Sequence, residues 1–247
     1  MTKKEEAALK AAEKLAAERA RLEAMKNFDR RRRGLICGID EAGRGPFAGP
    51  VMAGAVILDL DDPEKEILYI NDSKKLTEKK REQVYREILK KAVAVGIGSC
   101  GAKIVDEINI LQATLLAMKR AICNLRNVSD IVDDETEIHD LVKALVKMQI
   151  TDKLPGNVRP DFILADAVHI PDICIAQEGI IKGDAKSLSI AAGSIVAKVT
   201  RDHIMYEYDK LYPQYGFASH KGYGTKKHIE AIKEYGMLDI HRRSFIH

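Results

Sequence analysis

The sequence predicts an α/β protein, and three observations carry that expectation. Short apolar runs of strand length recur at residues 35–39, 49–58, 92–101 and 159–166, bounded by glycine, proline or acid. Between them lie longer stretches with apolar residues at helical spacing, at 77–91, 104–125 and from 184 onward. Two of the apolar runs end on carboxylates, Asp40 with Glu41 and then Asp166, an arrangement that brings acid to a cleft at the edge of an α/β sheet.

A chain of 247 residues with 46% hydrophobic content can bury one large domain, with or without an appendage. No apolar run is long enough for a transmembrane helix, and the amino terminus, M-T-K-K-E-E-A-A, has no hydrophobic segment of the secretory kind. A cytoplasmic protein with no membrane partner is expected. Cys37, Cys100, Cys123 and Cys174 form no C-x-x-C pair and read as buried free thiols, with no zinc site. The net charge of +3 is too small to indicate a nucleic-acid partner, so the placement of charge has to decide.

Residues 1–33 are rich in Ala, Lys, Glu and Arg, lack Gly and Pro before 34, and end on Arg30 to Arg33. Leu9, Leu15, Ala16, Leu22 and Met25 make only a thin apolar stripe, so a charged helical arm standing off the core is expected. Residues 34–51 then read G-L-I-C-G-I-D-E-A-G-R-G-P-F-A-G-P-V. Adjacent ionised carboxylates at the tip of an apolar strand need a cation or strong donor beside them, and magnesium or manganese would suit carboxylate oxygens. A solvated strand end capped by Arg44 is the competing reading. Because neighbouring strand side chains point to opposite faces, both acids reach one metal only if the chain leaves strand geometry near Glu41. Gly43 and Gly45 let backbone approach a ligand closely while Arg44 between them engages phosphate.

Residues 49–58 form a second strand and close a hairpin, and Thr77 caps a helix running to about Lys91. The loop before it, N-D-S-K-K-L, offers Ser73, Lys74 and Lys75 for phosphate contacts, although solvated lysines before a helix are common. A third strand spans 92–101, and a helix over 104–125 presents Ile108, Leu111, Leu115, Ala117, Met118 and Ile122. Asn109 in it faces either a substrate backbone or a helix end. After the strand ending on Asp166, a further strand is expected at 173–176. A helix beginning near Asp184 would align Asp184, Ser187, Ala191, Ser194, Lys198 and Arg201 on one stripe of mostly small residues. Asp184 is then a fourth acid or a plain N-cap. Finally His220, Lys221, Lys226, Lys227 and His228 surround Tyr223, a pattern for phosphates and a stacked sugar, or else for a core tyrosine among solvated lysines.

The run G-I-D-E-A-G-R-G-P-F-A-G-P-V resembles the signature of the type 2 ribonucleases H, the ribonuclease HII family, which cut RNA within RNA–DNA hybrids. D-S-K-K-L, the block K-G-D-A-K-S-L-S-I-A-A-G-S-I-V-A-K-V-T-R-D, G-Y-G-T and H-R-R-S-F are similar to later motifs of that family. The resemblance covers 34–245 and implies a ribonuclease H-like fold: a mixed central sheet flanked by helices, with a helical C-terminal extension. It implies a catalytic domain over 34–247 behind the arm at 1–33, with a surface insertion at about 127–157; the acids there, Asp133, Asp134, Glu135 and Glu137, mimic a metal site on paper but have no apolar strand to hold them and read as a solvated loop. Two departures stand out: Ala167 where the family has glycine after the acid, and Gly193 where it has alanine.

The resemblance implies Asp40, Glu41, Asp166 and Asp184 as catalytic carboxylates holding two divalent ions, Mn2+ or Mg2+. One ion turns water into hydroxide and the other stabilises the leaving 3′-oxygen, giving 3′-hydroxyl and 5′-phosphate ends. Gly43, Arg44 and Gly45 read the ribose 2′-hydroxyl, Tyr223 stacks on the adjoining deoxyribose, and Ser73, Lys74, Lys75, Ser194 and Lys198 are the remaining candidate substrate contacts. A monomer acting on RNA–DNA hybrids and on ribonucleotide-containing duplex DNA is expected. The alternatives are a non-catalytic nucleic-acid-binding module, which would need no four acids, a type 3 ribonuclease H, which carries an N-terminal platform domain and usually Glu as fourth acid, and a DNA-cutting nuclease of a related branch.

Overall fold

The structure, a computed structural model, describes residues 2–130 and 156–246. Six strands form one mixed sheet: β1 (Ile36–Ala42), β2 (Val51–Ile57), β3 (Ala94–Cys100), β4 (Arg126–Asn127), β5 (Phe162–Asp166) and β6 (Ala176–Ile180), in the spatial order β4-β3-β2-β1-β5-β6. The first four strands pair antiparallel, whereas β5 joins β1, and β6 joins β5, in parallel. Strands β1, β5 and β6 therefore deliver their carboxyl ends to one edge, the place where open α/β sheets bind ligands.

Helices cover both faces because the central strands are apolar on both sides; every residue of β2 is buried. Met52 and Val56 of β2 pack toward α4 (Leu188–Leu211), with α2 (Glu78–Lys91) and the end of α1 (Lys3–Asp29) outside it. Val51, Ala53, Ala55 and Ile57 pack toward α3 (Ala102–Cys123) on the other face, as the period-two alternation of a strand requires. A small third core of Ala48, Met205, Tyr215, Phe217 and Ala231 joins α5 (Phe217–His220) and α6 (Lys226–Tyr235) to the sheet edge. Helix α2 forms as expected, with the Thr77 side chain accepting from the Lys80 amide. No helix among the described residues is long and apolar enough to cross a membrane.

From Leu188 to Asp202 every residue of α4 except Lys198 is buried. The helix lies directly on β1 and β2, and glycines make that approach possible. A Cβ on Gly38 would fall 1.9 Å from the Ser189 carbonyl carbon, and one on Gly193 would fall 2.7 Å from the Gly54 carbonyl oxygen. Glycine at 193 costs about 1 kcal/mol of helix propensity against alanine. The close crossing of two backbones is what that cost allows.

Several expectations need correction. α4 begins at Leu188 with Ser187 as its N-cap, while Asp184 sits in a separate 3-10 turn, Gly183–Ala185. α3 is interrupted at Asn109 (φ 65°, ψ 165°), whose side chain accepts from the amides of Leu111 (3.0 Å) and Gln112 (3.1 Å), so the helix-end role is the one it fills. The strand placed at 173–176 lies at Ala176–Ile180 instead: Ile173 and Ile175 pack under α3, whereas the true strand is an exposed edge with little apolar signal. The N-terminal helix does not stand off the core throughout. Leu22, Met25 and Asp29 are buried, Arg21 Nη2 donates to the Ile70 carbonyl at 2.6 Å, and the Ser189 amide donates to Asp29 Oδ2 at 2.9 Å. Of the cysteines, Cys37 and Cys100 are buried but Cys123 and Cys174 are exposed. Most of the insertion expected at 127–157, with its four acids, lies outside the described residues.

Candidate active site

β1 and β5 pair in parallel with Ile39 opposite Ala165, so one step further both strands carry carboxylates, Asp40 and Asp166. β5 and β6 pair with Asp166 opposite Ile180, and the chain leaving β6 turns at once into Gly183–Ala185. The Gly183 amide donates to Asp166 Oδ1 at 2.7 Å, tying the turn that carries Asp184 to the end of β5. Three strand ends thus bring Asp40, Glu41, Asp166 and Asp184 to one edge. The departure from strand geometry that would let both acids reach one metal does not come at Glu41 itself. β1 continues through Ala42, and the reversal comes at Gly43, whose φ of 90° suits glycine.

The electrostatics of the four acids express this convergence. Burial, then the neighbouring charges of Glu41 and Asp166, pushes the Asp40 carboxyl well above its ordinary range. Burial also raises Glu41, with the Arg44 guanidinium opposing and Asp166 adding. Arg44 Nη1 stands 3.5 Å from Glu41 Oε1. Asp184 is raised by burial, then by Asp72 and Asp166, while Lys74 and Lys75 pull it back. Asp166 is felt by all three other acids. Among the described residues no three acid, His or Cys side chains are already drawn into a metal cage. The donor set, four hard carboxylates, fits magnesium or manganese.

The other sequence candidates line the same edge. Ser194 on α4 donates to Ser73 Oγ at 2.8 Å and also reaches the Asp40 carboxylate. Ser73 is buried, whereas Lys74 and Lys75 are exposed and close enough to Asp184 to lower its pKa. Lys198 donates to both oxygens of Asp202 (2.6 and 2.7 Å), and burial pushes its amine downward. Tyr223 is half exposed and stands over Gly45: a Cβ on that glycine would meet the tyrosine ring at 3.6 Å. Ala167, in the place of the family's glycine, takes the left-handed conformation anyway, at φ 52°.

What the sequence reading missed is the framework behind these residues. Arg201 and Arg242 are fully buried arginines that bond to backbone carbonyls of the 43–50 segment. Arg201 donates to the carbonyls of Pro50 (3.0 Å), Ala48 (3.1 Å) and Lys221 (2.9 Å). Arg242 donates to those of Gly49 (2.9 and 3.1 Å), Arg44 (2.9 Å) and Gly43 (2.7 Å). Burial and the Arg201 charge push the Arg242 guanidinium down to about 9, which still leaves it charged at neutral pH. Arg81 plays the same part for the lysine loop, donating to the carbonyls of Ser73 (2.9 Å) and Leu76 (2.9 Å) beside Asp202 (3.4 Å). A signal existed for Arg201, since a charged pair, Arg201-Asp202, closes a run of apolar and small residues.

The family model for ribonuclease HII matches residues 37–247. A ribonuclease HII of Lachnoclostridium phytofermentans is 52% identical over 239 residues, covering 95% of this chain and 80% of that protein. A ribonuclease HII of Caldanaerobacter subterraneus is 48% identical over 238 residues, covering 94% and 84%. Among solved structures, ribonuclease H2 from Pyrococcus horikoshii superposes with a TM-score of 0.55 at 23% identity, covering 85% of this chain and 92% of that one, a likeness of fold. With a family model spanning most of the chain and relatives near half identity over nearly all of it, the chain belongs to the ribonuclease HII family.

Proposed function

We propose that this protein is a divalent-metal-dependent endoribonuclease that hydrolyses the RNA strand of RNA–DNA hybrids and cuts at ribonucleotides embedded in duplex DNA, leaving 3′-hydroxyl and 5′-phosphate ends. The observation that supports the reading is that β1, β5 and the turn after β6 carry Asp40, Glu41, Asp166 and Asp184 to one edge of the sheet, with Arg44 beside Glu41.

Asp40, Glu41, Asp166 and Asp184 would hold the divalent ions, manganese or magnesium. Such ions supply an activated water and charge stabilisation for the departing 3′-oxygen. The chain's own residues do the rest. The 43–45 backbone, held by Arg242, presents peptide groups to a ribose 2′-hydroxyl, the one group that separates RNA from DNA at a given position. Arg44, Lys74 and Lys75 are exposed cations placed for phosphates on either side of the acids. Tyr223 lies where its ring can stack on the sugar next to that ribose. Ser194 and Ser73 link α4 to the lysine loop, so the phosphate contacts and Asp40 share one support.

End-labelled duplex DNA carrying a single ribonucleotide, incubated with and without manganese, tests this directly. A metal-dependent cut at the ribonucleotide with a 3′-hydroxyl end is expected. Absence of any product with metal would leave only a binding module, and cleavage of an all-DNA duplex would point to a DNA nuclease.

A further inference from the structure

Beneath Tyr223 the rings of Tyr215, Phe217, His220, His228 and His241 pack together, with centroids of successive neighbours 4.4–5.9 Å apart. His228 is 0% and His241 2% exposed. Their hydrogen bonds leave one place for each ring proton. The Leu238 amide donates to His241 Nδ1 at 2.8 Å, so the His241 proton sits on Nε2. That nitrogen faces His228 Nε2 at 3.1 Å, which must accept, so the His228 proton sits on Nδ1. Nδ1 in turn donates to the backbone carbonyl of Tyr223 at 2.9 Å. His220, stacked on His228 at 4.4 Å, accepts from the Gly222 amide and donates to the Tyr215 carbonyl. The chain therefore runs from the 238–241 turn to the tyrosine carbonyl with a single sense of donation.

Filling this pocket with apolar side chains would hold α6 in place at lower desolvation cost. Imidazoles linked in one direction do something an apolar filling does not: they specify one position for the carbonyl at the end of the chain. We infer that the His241–His228 chain is a positioning device for Tyr223, fixing the ring over Gly45 and so governing recognition of a lone ribonucleotide in duplex DNA. The inference rests on the reading of Tyr223 as a substrate contact. A uniform hybrid offers a 2′-hydroxyl at every nucleotide of its RNA strand and tolerates a loosely held ring better than a duplex with one ribonucleotide does.

Nitrogen-15 NMR of the unmodified protein reads the tautomers: His228 protonated on Nδ1, His241 and His220 on Nε2. An Nε2-protonated His228 at neutral pH would overturn the chain. For function, His228→Leu removes the donor to Tyr223, while the amide of His228→Asn stands where Nδ1 stood and restores it. kcat on the single-ribonucleotide duplex should fall about tenfold or more in the leucine variant, the equivalent of one lost hydrogen bond. It should recover to within about threefold in the asparagine variant, with cleavage of uniform hybrid changing less in both. Equal ratios of the two activities in the leucine and asparagine variants would refute the positioning role. Tyr223→Ala, measured alongside, separates the layers: if it leaves the single-ribonucleotide cut intact, the tyrosine reading and the inference fall together. If only the alanine variant is impaired, the inference falls alone.

Discussion

Replacing Arg242 by Met keeps most of the side-chain volume and removes the guanidinium that holds the carbonyls of Gly43, Arg44 and Gly49 at 2.7–3.1 Å. Each buried carbonyl left without a donor costs about 1–3 kcal/mol. The lower end applies, because the substitution also removes a buried charge that Arg201 and burial already disfavour. Three carbonyls then give a loss of roughly 3 kcal/mol, or about 6–12 °C in Tm for a chain of this size. The functional consequence is larger than the thermal one suggests, since two of the released carbonyls, those of Gly43 and Arg44, belong to the turn that would read the 2′-hydroxyl. Single-turnover cleavage of a one-ribonucleotide duplex, well below the variant's Tm, should slow by about tenfold or more, as an ångström of misplacement does. Arg242→Lys should rescue little, because a single ammonium cannot span three carbonyls. A folded Arg242→Met variant with a normal cleavage rate would show that the turn takes its shape from elsewhere.

Two further outcomes follow from the backbone and the histidines. Ala167 occupies the left-handed region at φ 52°, where an L-residue pays about 1–2 kcal/mol, so Ala167→Gly should stabilise the protein by roughly 0.5–1 kcal/mol after the entropy of glycine is subtracted. Chemical denaturation reads this, and a loss of stability would contradict it. Burial holds His228 at about 4 in the folded protein against an ordinary 6.5, with the neighbouring His220 and His241 adding to the effect and the Tyr223 backbone carbonyl opposing it. Between these values the unfolded chain binds the extra proton, so this contribution is complete above about 6.5 and declines as pH falls toward 4, by roughly 3 kcal/mol. Asp40 and Asp29, whose carboxyls are raised by burial, act in the opposite direction as pH falls. The difference between wild type and His228→Leu across pH 4–7 isolates the histidine, and a pH-independent difference would refute a lowered His228 pKa.

The position of Asp40, Glu41 and Asp166 toward the carboxyl ends of β1 and β5 was legible because an apolar run that stops on a carboxylate is rare for a reason: burial next to charge needs a function to sustain it. Helix α2 was legible to the residue, since Thr77 and the apolar spacing agree. Less legible was anything decided by tertiary contact. A 3-10 turn at Gly183–Ala185 and a new cap at Ser187 look, in sequence, like the first turn of one helix, although serine at 187 is itself an N-cap residue. Asn109 was a similar signal, a capping residue in the middle of a helical pattern. Burial of Arg201 and Arg242 could not be read from composition, because the carbonyls of the 43–50 segment that they serve lie some 150 to 200 residues away in the chain. The docking of the arm rests on Leu22, Met25 and the buried Asp29 against α4, a contact with no local signature.

The reading that four strand-end acids work as one metal-binding catalytic centre is tested most directly by Asp40→Asn. Cleavage and binding of a one-ribonucleotide duplex are to be measured in parallel while manganese is titrated. Duplex binding should persist, carried by Arg44, Lys74, Lys75 and the 43–45 turn, while cleavage is lost at every manganese concentration. Turnover at the unmodified rate by Asp40→Asn, or cleavage by the unmodified protein in the absence of any divalent ion, would contradict it.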